Sequence, residues 1–441
     1  MPLGPVALLE VIRIPCLLIC AAFAPEPVDI QSDTLDNGMV VLVVEEAFSG
    51  VAAVQMWYRV GTVNERDDQG GMAHMTEHLM FNGSAGPANM FSEKIEETGG
   101  EDNAWTDLDV TVYHSVVPPE AVKMAISMEA DRMFNLTFGN FYSERDVVME
   151  ERRLTAENDI MGEAYESLWA FSYLVHPYRN PTLGWDFSIN SFTPHGVREF
   201  YRTYYWPSRA TLVVVGDVKA DSVFSWAREY FGHLPNPESE IPEVSLVEPE
   251  QCGERVWIIH RETAESVYLA SYHVPEASNP DMPGLELLAA ILGNGKISRL
   301  YRSLVKEKEL AISVQVFVTK NRYPGLLVIE LVLQKGVDPA DVSLALDTEM
   351  ERLIREGISD EEIARARRQC LAELVYRREY PEDLGFYLGE SAVITGDPEY
   401  LNRYSTLLSS LTAEDLVRIA GKYLIPEKRT VVAITPKPTL N

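Results

Sequence analysis

The chain has 441 residues, 46% hydrophobic and 24% charged, the balance of an ordinary globular protein long enough for roughly two to four domains. Its formal net charge of −29 excludes nucleic acid as a partner, because phosphate backbones require an excess of Lys and Arg. Of four cysteines, Cys16 and Cys20 fall in the first 24 residues. Cys252 and Cys370 have no Cys-x-x-Cys spacing, which excludes a cysteine zinc or redox motif, and they read as two separate buried thiols.

In chain order, residues 1–24 read as a signal peptide. Arg13 precedes an apolar run over residues 14–24, and Ala22-Phe23-Ala24 fits a small-x-small cleavage site. The run is too short to span a bilayer, so no transmembrane anchor is expected in the mature chain. The expected location is periplasmic or otherwise extracytoplasmic. From about residue 28 the pattern is α+β. Residues 39–46 and 51–60 are Val-rich and alternating, and read as the two strands of a hairpin.

Next comes Gly70-Gly71-Met72-Ala73-His74-Met75-Thr76-Glu77-His78-Leu79-Met80-Phe81. Apolar positions at 72, 75, 79 and 80 and the glycine entry predict a helix. On a helix His74 and His78 lie one turn apart on one face, the spacing at which two neutral imidazoles bind one zinc ion. Glu77 reaches the same side as a general base. Two histidines and a water leave zinc short of a protein ligand, so a third must come from elsewhere.

Residues 89–98 read as a helix, 103–117 as a strand run, and 120–135 as an amphipathic helix. In a helix over 144–158, Glu144, Val147, Val148, Glu151 and Leu154 share a stripe, opposite Asp146, Glu150, Arg153 and Glu157. A carboxylate on an apolar stripe is costly unless a metal compensates it. Glu151 is mildly favoured as the ligand, with Glu144 supporting it or facing substrate. His114 and His195 have no partner at ligand spacing and read as structural or solvent-facing. Residues 193–204 and 220–231 read as helices around a buried strand over 211–216, and a Pro- and Glu-rich stretch follows to residue 250.

The second half repeats the first. Tyr204-x-x-Pro207-x-x-x-Thr211-Leu-Val-Val recurs as Tyr423-x-x-Pro426-x-x-x-Thr430-Val-Val-Ala, and residues 256–260 and 266–273 echo the first hairpin. The helix over 284–292 carries no histidine pair. The expected division is a metal-binding domain over 25–235, a linker over 236–253 and a homologous domain over 254–441 that lacks the metal motif.

His74-x-x-Glu77-His78 followed by Glu144-Arg-x-Val-Val-x-x-Glu151 resembles the inverzincin metallopeptidases, the family of pitrilysin, insulin-degrading enzyme and the mitochondrial processing peptidase. Two further stretches match: Gly99-Gly100-x-x-Asn103-Ala104-x-Thr106-x-x-Asp109-x-Thr111-x-Tyr113, and His176-Pro177-Tyr178-x-x-Pro181-x-x-Gly184. The resemblance covers nearly the whole chain after the leader. It implies zinc bound by His74, His78 and Glu151, and hydrolysis of unfolded peptides with Glu77 as base. It also implies substrate pairing along an edge strand at Asn103 and Ala104. The implied architecture is two antiparallel sheets, each with helices on one side, facing each other across a cleft.

The chain departs from this pattern at Ser298-Arg299-Leu300-Tyr301-Arg302-Ser303-Leu304-Val305-Lys306-Glu307-Lys308-Glu309-Leu310-Ala311-Ile312-Ser313. Active members carry an Arg and a Tyr seven residues apart here; this chain has Val305 and Ile312. The resemblance therefore implies the zinc subunit of a heterodimer whose homologous partner supplies that pair. A non-catalytic assembly or core subunit of the same fold is the alternative.

Overall fold

The computed structural model describes residues 26–46, 50–81 and 90–437; the leader over residues 1–24 lies outside them. The first half contributes strands β1 (Gln31–Thr34), β2 (Val40–Glu45), β3 (Ala52–Tyr58), β4 (Glu101–Thr106), β5 (Thr111–Val117) and β6 (Ala210–Gly216). They form one sheet in the order β1-β2-β6-β3-β5-β4. The second half contributes β7 (Arg255–Arg261), β8 (Val267–His273), β9 (Ala311–Val318), β10 (Leu326–Leu333) and β11 (Arg429–Pro436), ordered β7-β11-β8-β10-β9.

The first half's helices are α1 (Met72–Phe81), α2 (Met90–Glu97), α3 (Val122–Phe134), α4 (Phe141–Arg152), α5 (Ile160–Ser172), α6 (Asp186–Ser191), α7 (Pro194–Tyr204) and α8 (Ala220–Phe231). Those of the second are α9 (Met282–Gly293), α10 (Pro339–Glu356), α11 (Asp360–Tyr376), α12 (Pro381–Val393), α13 (Tyr400–Ser410) and α14 (Ala413–Tyr423).

The hairpin expected from residues 39–60 does not form. β6 lies between β2 and β3, parallel to the first (Val40 opposite Thr211) and antiparallel to the second (Ala52 opposite Gly216). β6 reads Ala-Thr-Leu-Val-Val-Val-Gly and is buried throughout; a continuous apolar strand belongs inside a sheet. β11 separates β7 from β8 in the same way. The run over 103–117 is two strands, β4 and β5, turning between Thr106 and Thr111.

The halves interlock by exchanging equivalent helices. α5 of the first half packs on β8 and β11, and α12 of the second packs on β3 and β6. On α12, glycines allow the close approach: a Cβ on Gly389 would sit 2.1 Å from the Trp57 ring, and one on Gly385 2.7 Å from Gln55. Gln55 Nε2 donates to the Glu382 carbonyl at 2.8 Å, and His114 Nδ1 meets Glu382 Oε1 at 2.7 Å. Leu384 and Leu388 are buried in a core that also holds Leu42, Trp57 and Val213. Each such side chain contributes about 1.5–3 kcal/mol on burial. Each sheet thus carries its own helices on one face and a helix of the other half on the opposite face. The segment over 235–254 forms no helix or strand but is pinned: Arg209 pairs with Glu243 at 2.8 Å, and Glu248 accepts from the Leu174, Val175 and His176 amides.

Cys252 and Cys370 are free thiols, as expected, although Cys252 is exposed rather than buried. Among the described residues no helix is long and apolar enough to cross a membrane.

Candidate metal centre

α1 is entered through a backbone turn that only glycine permits. Gly71 has φ +90°, and a Cβ there would sit 2.6 Å from the Leu183 carbonyl. The buried Glu65 carboxylate then accepts from the Gly71 amide at 2.9 Å and the Ala73 amide at 2.7 Å, satisfying orphan donors of the first turn. This fixes the helix one residue before His74. The sequence gives no signal for Glu65, because a carboxylate seven residues before the first residue of a helix has no capping-box spacing.

α4 brings the carboxylates. Its C-terminal end is anchored by buried Arg152, which donates to Glu166 Oε1 and to the Gly184 carbonyl, both at 2.6 Å. Val148 is fully buried, but Val147 and Leu154 are about half exposed, so the proposed apolar stripe is narrower than its periodicity implied. Beyond Arg152 the helix widens into a π turn over Arg153–Glu157, which carries Leu154 outward. Glu150 pairs with Arg153 on the surface, as expected for a solvated face.

Three side chains converge. Glu151 Oε2 lies 3.3 Å from His78 Nε2 and 3.6 Å from His74 Nε2. One ligand atom from each of the three falls within 4.8 Å of the others, the geometry of a candidate metal site. Glu144 Oε2 lies 3.5 Å from His78 Nδ1, the far side of that imidazole. Glu77 is buried beside them and accepts from Thr106 Oγ1 at 2.7 Å. Thr106 was part of the sequence motif, but its bond to Glu77 became visible only with the β4–α1 contact. Below them Arg132 lies buried between the Phe91 and Tyr113 rings, 3.7 and 4.4 Å from their centroids.

Burial holds the His74 imidazole down at about 4, in its neutral form. Burial also pushes His78 down, but the carboxylates of Glu144 and Glu151 outweigh it and carry His78 up to about 9. The bond to His78 lowers Glu151, whereas desolvation raises Glu77. Two imidazoles and an anionic carboxylate, close-set and partly buried, are a donor set for a divalent metal.

Asn103 and Ala104 lie on β4, the outermost strand of its sheet, opposite His114 and Tyr113. Asn103 is exposed and Ala104 half-buried, on the strand whose Thr106 holds Glu77. His114 serves the α12 contact and His195 is exposed; neither joins the cluster. Val305 is half-buried in the π turn over Tyr301–Glu307, and Ile312 is 57% exposed on edge strand β9.

The insulinase (peptidase family M16) model matches residues 40–184, and the peptidase M16 inactive domain model matches residues 191–370. The chain is 31% identical over 416 residues to zinc protease PqqE of Helicobacter pylori, covering 92% of this chain and 93% of that one. It is 25% identical over 411 residues to the mitochondrial-processing peptidase subunit beta of Lentinula edodes, covering 89% and 87%. A crystal structure of a protease from Helicobacter pylori superimposes with a TM-score of 0.89 at 28% identity, over 93% of this chain and all of that one. The chain belongs to peptidase family M16, the insulinase or pitrilysin family of peptidases.

Proposed function

We propose that the chain is a zinc-dependent endopeptidase acting on unfolded peptides, and that it works as the zinc-bearing subunit of a heterodimer. The observation that carries the reading is the convergence of His74, His78 and Glu151 with Glu77 buried beside them. Ligands about 2.0–2.2 Å from a tetrahedral zinc lie roughly 3.3–3.6 Å from one another. The separations of 3.3 and 3.6 Å fit that group.

When bound, zinc supplies Lewis-acid polarisation for attack of water on a peptide carbonyl. The chain's own residues do the rest. Glu144 orients the His78 ring through Nδ1. Glu77 takes the proton of the attacking water and returns it to the leaving amine, while Thr106 fixes one of its oxygens and leaves the other for the proton. Burial raises Glu77 above the ordinary carboxylate value, which makes it a stronger acceptor for the proton. The outer edge of β4 at Asn103 and Ala104 takes the substrate as an added strand, with main-chain bonds that ignore sequence and require an unfolded chain.

The heterodimer reading rests on Val305 and Ile312, apolar where the family's active members present Arg and Tyr. Arg302 and Lys306 are the nearby cations that could substitute, but the residues seven positions on are Glu309 and Ser313, so neither has a Tyr at the right spacing. A homologous partner would supply the pair; the leader, if cleaved, would place this chain outside the cytoplasm. The same two residues favour the competing reading of a non-catalytic subunit. The test assays the isolated zinc-loaded chain on unstructured peptides, then adds a homologous partner carrying Arg and Tyr. Stimulation of roughly 10²–10³-fold, lost when the partner's Arg is replaced, is the expected result. Full turnover by the isolated chain overturns the heterodimer, and no turnover in any combination overturns the peptidase.

A further inference from the structure

Asp109 and Tyr178 belong to the two sequence motifs that accompany the metal ligands, and the proposed hydrolysis uses neither. In the folded chain they meet. Asp109, 2% exposed, sits in the turn between β4 and β5; Tyr178, fully buried, lies in the short turn Pro177–Arg179 after α5. The Tyr178 hydroxyl donates to both Asp109 oxygens, each at 2.7 Å.

The carboxylate does not serve its own hairpin. That turn closes through the Asp107 amide on the Val110 carbonyl at 2.9 Å, with Thr106 opposite Thr111. Its other partners come from the second half, in the turn between β9 and β10. The Arg322 amide donates to Oδ2 at 2.8 Å, and Asn321 Nδ2 lies 3.5 Å from the same oxygen. In the same turn the Tyr323 amide donates to the Tyr178 hydroxyl at 3.3 Å, and the Pro324 carbonyl accepts from the Tyr173 hydroxyl at 2.9 Å. Burial pushes the Asp109 carboxyl up to about 6, against the pull of Tyr178 and the Arg322 amide. A buried carboxylate is costly, and the first half alone does not need this one.

What Asp109 joins is specific. In the sheet orders β2-β6-β3-β5-β4 and β7-β11-β8-β10-β9, the strands β4 and β9 are the outermost members at equivalent ends. The α5–α12 interlock grips the inner strands β3, β6, β8 and β11. The two outer hairpins meet turn to turn at Asp109. We propose that Asp109 is a positioning residue for the substrate, setting the β9–β10 hairpin against β4 so that a peptide added to β4 also meets β9. The inference rests on the reading of β4 as the substrate edge. Asp109 touches no reacting atom. Without its carboxylate the Tyr178 hydroxyl and the Arg322 amide lose their acceptor, and the two hairpins lose a common anchor. The β4–β5 ladder and the bond from Thr106 to Glu77 lie within one half and remain. The loss therefore falls on substrate binding and not on the chemical step.

The first measurement needs no hydrolysis. The full chain, with its free thiols removed by Cys252→Ser and Cys370→Ala, is spin-labelled at Glu101→Cys and Ile312→Cys, exposed positions on β4 and β9 far from the two turns. Double electron–electron resonance should give one narrow separation. It should broaden in Asp109→Ala and in Tyr178→Phe, and recover in part in Asp109→Asn, which keeps an acceptor for the Arg322 amide. Where Asp109→Ala fails to fold, Tyr178→Phe and Asp109→Asn carry the comparison. An unchanged separation in the folded variants overturns the proposal. The second measurement follows hydrolysis of an unstructured peptide of roughly 20 residues, long enough to span both strands, with the homologous partner present. Asp109→Ala is expected to raise KM about tenfold while kcat stays within about twofold and zinc content is unchanged. A fall in kcat at constant KM reports fewer active molecules, a merely structural loss, and overturns the positioning role. Absence of turnover in the wild-type chain removes the peptidase reading instead, and the spin-label separation then decides the placement of the hairpins by itself.

Discussion

α1 and α9 occupy equivalent places, each following the first two long strands of its half, and they solve the same packing problem differently. α9 buries every residue except Glu286, and all of those are apolar or glycine. α1 buries His74, Thr76 and Glu77 among its methionines. The fold position therefore requires only apolar contact. Polar groups in α1 carry a desolvation cost that the second half avoids, visible in the lowered His74 and the raised Glu77. The one carboxylate of α9 is neutralised locally by Lys320 Nζ at 3.3 Å and by the Tyr404 hydroxyl. Titratable groups kept in one copy and absent from the other mark chemistry rather than architecture.

The comparison breaks most completely at the ligands. His78→Ala and Glu151→Ala are expected to bring zinc from about one per chain to a small fraction of that, with hydrolysis lost, as read by metal analysis of the purified protein. Full zinc in both variants would remove the ligand assignment. Glu77→Gln separates binding from chemistry: zinc content stays, while kcat falls roughly 10²–10⁴-fold. Wild-type turnover in that variant would exclude Glu77 as the base.

The interlock is the next lever. A side chain at Gly389 must displace Trp57, so Gly389→Leu is expected to cost about 3 kcal/mol, seen as a fall in the denaturant midpoint. Converting α1 toward α9 works in the opposite direction. With chelator present, His74→Leu should raise stability by about 1–2 kcal/mol, since a buried imidazole with an unpartnered Nδ1 is replaced by an apolar group. A destabilised metal-free variant would show that His74 has an architectural role after all.

These contrasts also show where the sequence was readable. His74, Glu77 and His78 were legible because their spacing is local and a helix converts it directly into geometry. Glu151 was not separable from Glu144 by periodicity, since both point to the same region and both contact His78. Only the family pattern distinguished them. The β2–β3 hairpin was misread because alternation reveals that a strand exists and not what lies beside it; β6 arrives from far along the chain to pair between them. The α5–α12 exchange was invisible for the same reason. Its signal, glycines at 385 and 389 on one face of a helix, acquires meaning only opposite Gln55 and Trp57.

The smallest expected effect tests whether carboxylates of the second half are indeed structural. Glu362 caps its own helix through Ser359 and holds Arg299, which also donates to the Gly357 carbonyl. Burial works against its charge, but the Arg299 and Ser359 bonds prevail and hold the carboxyl down at about 2. The folded-state value lies below the ordinary 4.5, so the ionised form is the one stabilised by folding. Its contribution is therefore complete above about pH 4.5 and disappears as pH falls toward 2. A fully buried pair with that shift would contribute about 3 kcal/mol; solvent screening at a partly exposed site leaves about 1. Melting temperatures of the chain and of Glu362→Gln, both with chelator, should differ by a few degrees at pH 6, draw together below about pH 4.5 and converge toward pH 2. A gap that widens in acid reverses the sign and removes the ion pair from the account. A gap constant with pH leaves Glu362 acting as a helix cap through Ser359 and not through its charge on Arg299.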